Sequence, residues 1–189
     1  MLDFIHFLNR LAPLSPTVQA AFIACMRKKE LRRGQLWLQE GGVNDKIGFI
    51  EEGLLKQYSE CGSKEVVMLL FKEQQMLFSA KSFFEQEPSA FAIRAVEPST
   101  IWWLSYTDLQ GMVGQFPELN VHLRLILQQK FSADEAHVEL LLRPPQQRFF
   151  LVHKVFPWIK DHPLITDRLI AGLIGVTPVC FSKYRNGGK

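Results

Sequence analysis

The stretch ITDRLIAGLIGVTPVCFSKYR, residues 165–185, decides how the rest of the chain is read, because its apolar and small residues fall where two short helices crossing at a tight turn need them. Thr166 can cap a first helix that carries Ile170 and Ile174 on one face, with small Ala171 where a second helix must come close. Gly175 supplies the turn. Thr177 is a second N-cap, and Pro178 takes the first helical position, where its missing N–H costs nothing. Val176, Phe181 and Tyr184 then point back at the first helix. The pattern is that of a helix-turn-helix, and its bland alternative is a terminal helical hairpin that closes a core.

Charge is distributed unevenly around this stretch. From Arg143 onward there are eight basic side chains (Arg143, Arg148, Lys154, Lys160, Arg168, Lys183, Arg185, Lys189) against Asp161 and Asp167, a surplus of +6 that leaves −3 on the rest of a chain whose total is +3. A basic end bearing two crossed helices suits a polyanionic partner. A solvated basic face has the same composition. With 189 residues, 47% hydrophobic and 22% charged, the chain can bury a real core in one or two small domains. No apolar run approaches the ~18 residues of a membrane span, and Met1-Leu2-Asp3-Phe4 does not begin a signal peptide, so the expectation is a cytoplasmic protein with no membrane partner. Cys25, Cys61 and Cys180 are too few and scattered for a metal site or disulfide framework, and are expected as reduced, mostly buried thiols.

Working back to the N-terminus, Leu2–Leu11 and Pro16–Met26 read as amphipathic helices lidding the next domain, the second capped by Ser15. From Leu31 to Ser105, short Leu-, Ile-, Val-, Phe- and Trp-rich runs are broken by Gly34, Gly41-Gly42, Gly53 and Gly62, the rhythm of a small antiparallel β-roll, with Trp37, Phe49, Ile50, Val66, Met68, Leu70, Ile93 and Trp103 as core. Between Gln75 and Pro88 the rhythm lapses into a short inserted helix. Tyr106–Val113 is another helix, and Pro117 opens a long one to about Leu142. On it Leu119, Leu123, Ile126, Ala133 and Leu140 make a seam, interrupted by Lys130 and His137, that can pack on the β-roll alone but is expected also to meet a partner helix in a homodimer. Pro144-Pro145 ends it, and Gln146–Lys160 reads as one further helix. The fold class is therefore α+β: a jelly-roll-like β-roll with a helical lid, a long helix and a terminal helix-turn-helix.

This order, with its residues, resembles the Crp/Fnr family of bacterial transcription regulators over nearly the whole chain. The resemblance is carried by Leu31-Arg32-Arg33-Gly34-Gln35-Leu36-Trp37-Leu38-Gln39-Glu40-Gly41, Gly48-Phe49-Ile50-Glu51-Glu52-Gly53-Leu54-Leu55-Lys56, Gly62-Ser63-Lys64-Glu65-Val66-Val67, Ile93-Arg94-Ala95-Val96-Glu97 and Leu173-Ile174-Gly175-Val176-Thr177-Pro178. It looks in particular like a shorter subgroup common in Bacteroidetes, whose DNA-binding end is nearly bare helices. The resemblance implies a cyclic nucleotide-binding-like domain over 1–116, a dimerisation helix over 117–143 and a DNA-binding domain over 144–189.

In family members with a working nucleotide pocket, Gly-Glu in the inserted helix holds the ribose, and Arg-Ser/Thr-Ala after it pairs the phosphate. Aligned back from Ser105-Tyr106, those positions hold Phe78-Ser79 and Ser89-Ala90-Phe91, so the anchors are gone. A buried phosphate without its Arg is an unpaired charge. The positions that meet the base from the long helix fall on Asp134 and Glu135, whose charge repels an anion. The implied pocket is degenerate, filled by side chains such as Phe78 and Phe91 or apolar, and does not take cAMP. An unidentified small-molecule effector is left as a partner. The family's oxygen-sensing branch uses four cysteines for an iron–sulfur cluster, and this chain has three. All five histidines (His6, His122, His137, His153, His162) lie outside the roll, no nucleophile or phosphate-loop motif occurs, and the chain is expected to be no enzyme and to need no cofactor.

On a recognition helix over Pro178–Arg185, the residues left to face DNA are Thr177, Val179, Ser182, Lys183 and Asn186, with Arg168 and Arg185 adding phosphate contacts. The first reading is thus a DNA-binding regulator with an unknown operator. Its rival is a non-catalytic ligand-binding or protein-interaction module on the same fold whose DNA-reading end has decayed.

Overall fold

The computed structural model describes residues 1–61 and 64–187, the side chains of Cys61 and Lys64 excepted. Gly62-Ser63 of the resemblance and the basic residue Lys189 lie outside the described residues. The chain forms two compact units. One comprises Met1–Gln57 with Leu70–Gln128, and the other Tyr58–Leu69 with the chain from Gln129 onward. None of its helices is long and apolar enough to cross a membrane, among the described residues.

The first unit opens with helices α1 (Leu2–Leu11) and α2 (Pro16–Cys25), the latter capped by the Ser15 hydroxyl, which accepts from the Val18 N–H. Strands β1 (Arg27–Leu31), β2 (Leu36–Leu38), β3 (Lys46–Glu52), β4 (Leu55–Cys61), β5 (Lys64–Phe71) and β6 (Met76–Leu77) follow, then helix α3 (Ala80–Glu85), β7 (Ala92–Ala95), β8 (Ser99–Ser105) and helix α4 (Tyr106–Gln115). They make two four-stranded sheets, β1-β8-β3-β6 and β2-β7-β4-β5, antiparallel in every pairing whose register is resolved. The architecture is mixed α+β, as the glycine rhythm implied. The roll begins earlier than its apolar runs suggest: β1 reads RKKEL and is an edge strand, where charge protects an open row of backbone groups.

Strand β3 shows how the layers are cut. Ile47 and Phe49 face the helices, in a core with Phe4, Phe7, Leu8, Val18, Phe22, Leu104, Leu109, Met112 and Leu119. Gly48 and Ile50 face the other way, as period-two alternation requires. A Cβ built on Gly48 would lie 2.7 Å from Ile101 Cγ2 and 3.2 Å from Trp37 Cζ2, so the indole of Trp37 rests on the bare backbone of β3. Not every expected core residue is inside: Val66 is exposed, and Met68 and Trp103 are half-buried.

Helix α5 (Leu119–Leu141) runs from the first unit into the second. Its expected partner seam is overturned. Leu119 and Ile126 are buried in the core of their own unit, Leu123 packs against that core, and Leu140 is buried, while Ala133 is exposed. The interrupting residues have partners too: Lys130 pairs with Asp134 at 3.1 Å, and buried His137 holds its Nε2 2.8 Å from the Leu173 carbonyl. The apolar residues that α5 leaves in solvent are Val121, Phe131, Val138 and, just past its end, Leu142. Next, α6 (Pro145–Val155) is shorter than the helix expected over Gln146–Lys160. Pro157 lacks an N–H and disfavours helical φ/ψ at Phe156, which sits at φ −123° and ψ 71°, and the chain continues as a 3₁₀ turn over Pro157–Lys160. Helices α7 (Asp167–Leu173) and α8 (Pro178–Arg185) complete the second unit. Val67 of β5 lies over α7, 3.0 Å from where a Gly172 Cβ would sit.

Candidate functional site

Two places were singled out by sequence, and each is built by local chemistry. At the first, α3 is introduced by Ser79, whose N–H donates to Asn44 Oδ1 at 2.6 Å. The Ser89 hydroxyl donates to the Phe91 carbonyl at 2.8 Å and lies 3.2 Å from the Ser79 hydroxyl. Ser89 is further fixed by backbone hydrogen bonds in both directions to Gly41 and Gly42. Ser82 donates to the Glu87 carbonyl at 2.6 Å and accepts the Asn44 N–H at 2.9 Å. The buried hydroxyls of Ser79, Ser82 and Ser89 are thus engaged by one another and by the backbone.

The structure brings Ser79, Ser89 and Phe91 together. Phe78 is buried on the helical side, edge-on to Phe83 and Phe84 at 6.1 Å each. Ala90 is exposed. Asp134 and Glu135 belong to the second unit, the first bound to Lys130 and the second exposed. A cavity of about 30 Å³ lined by Phe4, Leu8, Met76, His122 and Ile126, among others, lies under the N-terminal helices, with room for little more than water.

At the second place, Thr166 caps α7 by accepting the Leu169 N–H at 3.3 Å, and Thr177 caps α8 by accepting the Cys180 N–H at 3.2 Å. Gly175 has φ +65°, and the Val176 N–H reaches back to the Ala171 carbonyl at 2.9 Å, closing α7 as a Schellman turn. Arg148 of α6 donates to the Ile174 carbonyl at 3.1 Å and to the Arg143 carbonyl at 2.6 Å, so it serves the turn. Phe181 and Tyr184 find their ring partner on α6: Phe149 lies 5.0 Å from Phe181 and 6.0 Å from Tyr184. A hydrogen bond with the Cys180 thiol, then burial, raise the Tyr184 phenol above its ordinary range. Cys180, like Cys25, is half-buried.

The outward residues are those the sequence named, with one change. Arg168, Thr177, Val179, Lys183, Arg185 and Asn186 are exposed and Ser182 is half-buried. Arg185, however, forms an ion pair with Asp167 across the corner. The pairing joins residues eighteen apart in sequence, and only the folded corner reveals it.

Residues 28–116 match the family model described as the cyclic nucleotide-binding domain. No curated protein matches the chain by sequence. Solved structures do match by fold. A cyclic nucleotide-binding domain-containing protein from Listeria monocytogenes superimposes with a TM-score of 0.72 at 14% identity, over 98% of this chain and 89% of that one. The c-di-GMP-responsive global regulator CLP of Xanthomonas campestris gives 0.71 at 14% identity, over 92% and 91%. FixK2 of Bradyrhizobium japonicum gives 0.71 at 11% identity, over 86% and 83%. Residues 28–116 thus match the cyclic nucleotide-binding domain model, and the chain shares the fold of solved structures that include the global regulator CLP and FixK2.

Proposed function

We propose that the protein is a DNA-binding transcription regulator of the Crp/Fnr type, of the shorter Bacteroidetes-like subgroup, that works in the cytoplasm without a bound cyclic nucleotide and catalyses no reaction. On this reading 1–116 is the sensor, 117–143 the dimerisation helix and 144–189 a helix-turn-helix DNA-binding domain. The observation that carries it is the α7–α8 corner: two hydroxyl caps, one left-handed glycine and an exposed face with Arg168 and Lys183. Such a corner presents one helix to the major groove, and its cations neutralise phosphates. A dimer would carry two such helices to half-sites about 34 Å apart. The exposed α5 face with Phe131, Val138 and Leu142 is the surface for that contact.

The hydroxyl network at Ser79 and Ser89 supports a sensor that does not take cAMP or cGMP, since those positions offer no cation to a phosphate. The decayed-module reading has one observation in its favour: the Arg185–Asp167 pair removes a cation from the DNA-facing set. Retention of a randomised duplex library by the purified protein at low salt, lost at high salt, is the expected result. No retention at low salt transfers the protein to the second reading. Calorimetry with cAMP and cGMP should show no binding, and micromolar affinity for either would overturn the sensor half of the proposal.

A further inference from the structure

One end of the first unit carries a cluster that neither DNA binding nor the old nucleotide pocket uses. Trp37 of β2 is buried, at 3% exposure, and its ring rests on Gly48. Lys46, on the same face of β3 as Gly48, holds its ammonium 5.1 Å from the ring centroid. Lys29 reaches the same indole from β1, at 5.7 Å. One row along, Arg27 lies 5.0 Å from the ring of Trp103, which stands in register with both Arg27 and Gly48. Three cations from two strands therefore converge on two indoles.

The carboxylates nearby answer only part of this charge. Asp45 lies 3.2 Å from Lys46 and is itself mostly exposed, and Asp108 is 3.5 Å from Arg27. Exposed pairs of this kind are readily exchanged for another anion. Lys29 has no ion-pair partner among the described residues. Burial, and after it the charge of Lys46, push the Lys29 amine down, with Asp45 pulling the other way. The second, independent observation is the Trp37 Nε1–H, which is buried and has no acceptor among the described residues. Buried donors are almost always satisfied, and this one belongs to the ring on which the Lys29 and Lys46 ammonium groups converge, at 5.7 and 5.1 Å from its centroid.

We propose that Trp37, Lys29 and Lys46 form a binding site for the oxyanion group, phosphate or carboxylate, of a small anionic molecule. The indole N–H supplies a directed hydrogen bond, and the two ammonium groups supply the charge, Lys46 exchanging Asp45 for the ligand. The site lies away from Ser79 and Ser89 in sequence and needs no DNA, so it stands or falls independently of the regulator reading.

The indole region of a ¹⁵N–¹H spectrum of the full chain tests it, since there are only four Trp residues and Trp37→Phe identifies the relevant resonance. Titration with inorganic phosphate and with acetate, against chloride at matched ionic strength, should move the Trp37 resonance to saturation with an oxyanion and leave it still with chloride. The oxyanion that half-saturates at the lower concentration names the headgroup. Lys29→Gln with Lys46→Gln should weaken binding at least about tenfold with the rest of the spectrum unchanged. Lys29→Gln alone, at an edge-strand position, serves if the double variant unfolds and should weaken binding several-fold. A Trp37 resonance that stays still, responds equally to chloride, or titrates identically in the lysine variants overturns the site and leaves the lysines as mere cation–π covers of the ring.

Discussion

Gly48 and Gly175 need their missing side chains for different reasons, and the difference explains why one was legible and the other was not. At Gly48 an added methyl would collide with Ile101, which is fully buried, and press on Trp37. Overpacking of that kind costs roughly 1–3 kcal/mol. Gly48→Ala should accordingly lower the unfolding free energy of the first unit by about that amount, read as a lower urea midpoint with an unchanged denaturant slope. The residues that impose this lie eleven positions before and more than fifty after, beyond the reach of local pattern. Gly175 is imposed by its neighbours, two capped helices meeting at φ +65°, and so could be read directly from residues 165–185. His153 makes a second residue-scale prediction. Burial, and then the charge of Lys160, hold its imidazole below the ordinary range, and its Nδ1 is buried without a partner among the described residues. Unfolding restores a value of about 6.5, so the unfolded chain binds a proton that the folded chain refuses. Stability of the second unit should be full above about pH 6.5 and decline below it. Thermal melts of wild type and His153→Gln across this range check the sign: the variant's melting temperature should vary less with pH.

Helix α5 shows what a periodic pattern can and cannot say. Its limits were set by Pro117 and Pro144-Pro145, which act locally, and it runs Leu119–Leu141. The Leu119–Leu123–Ile126–Leu140 stripe is as regular as a dimer seam, but any apolar stripe satisfies that pattern, and this one is covered by the chain's own core. Spacing carries no information about which surface does the covering. The residues left exposed, Phe131, Val138 and Leu142, follow one another at seven and four positions and form a second stripe. Two predictions separate the stripes. Phe131→Glu with Val138→Glu should convert a dimer to a monomer in light scattering while circular dichroism stays unchanged. Leu119→Ala should instead destabilise the fold by about 2–5 kcal/mol and leave the oligomeric state alone. The edge strand β1 was missed because RKKEL has charge where a strand pattern seeks alternation, and the 3₁₀ turn at Pro157 because Val152, Val155 and Phe156 continue the helical spacing up to it.

At the scale of the molecule, the basic end was legible as a sum and illegible as a set of free charges. The surplus of +6 from Arg143 onward is real, but two of its members already have work within the fold: Arg148 holds the Arg143 and Ile174 carbonyls, and Arg185 is paired with Asp167. Each phosphate neutralised by a free cation contributes about one counterion to the salt dependence of DNA binding, so the slope counts cations by availability. Arg168 and Lys183, exposed on α7 and α8, should each lower the magnitude of the slope by about one when replaced by Ala, with affinity falling for every sequence alike. Arg185→Ala should do less, because part of its charge is already spent on a carboxylate. The decisive variant is Asp167→Asn, which keeps the side chain's size and releases Arg185: it should tighten duplex binding and steepen the salt slope by up to about one. Fluorescence anisotropy over a salt series measures all four. If Asp167→Asn weakens binding instead, the Asp167–Arg185 pair is holding α8 in its DNA-reading position, and Arg185 is a structural residue that was mistaken for a contact.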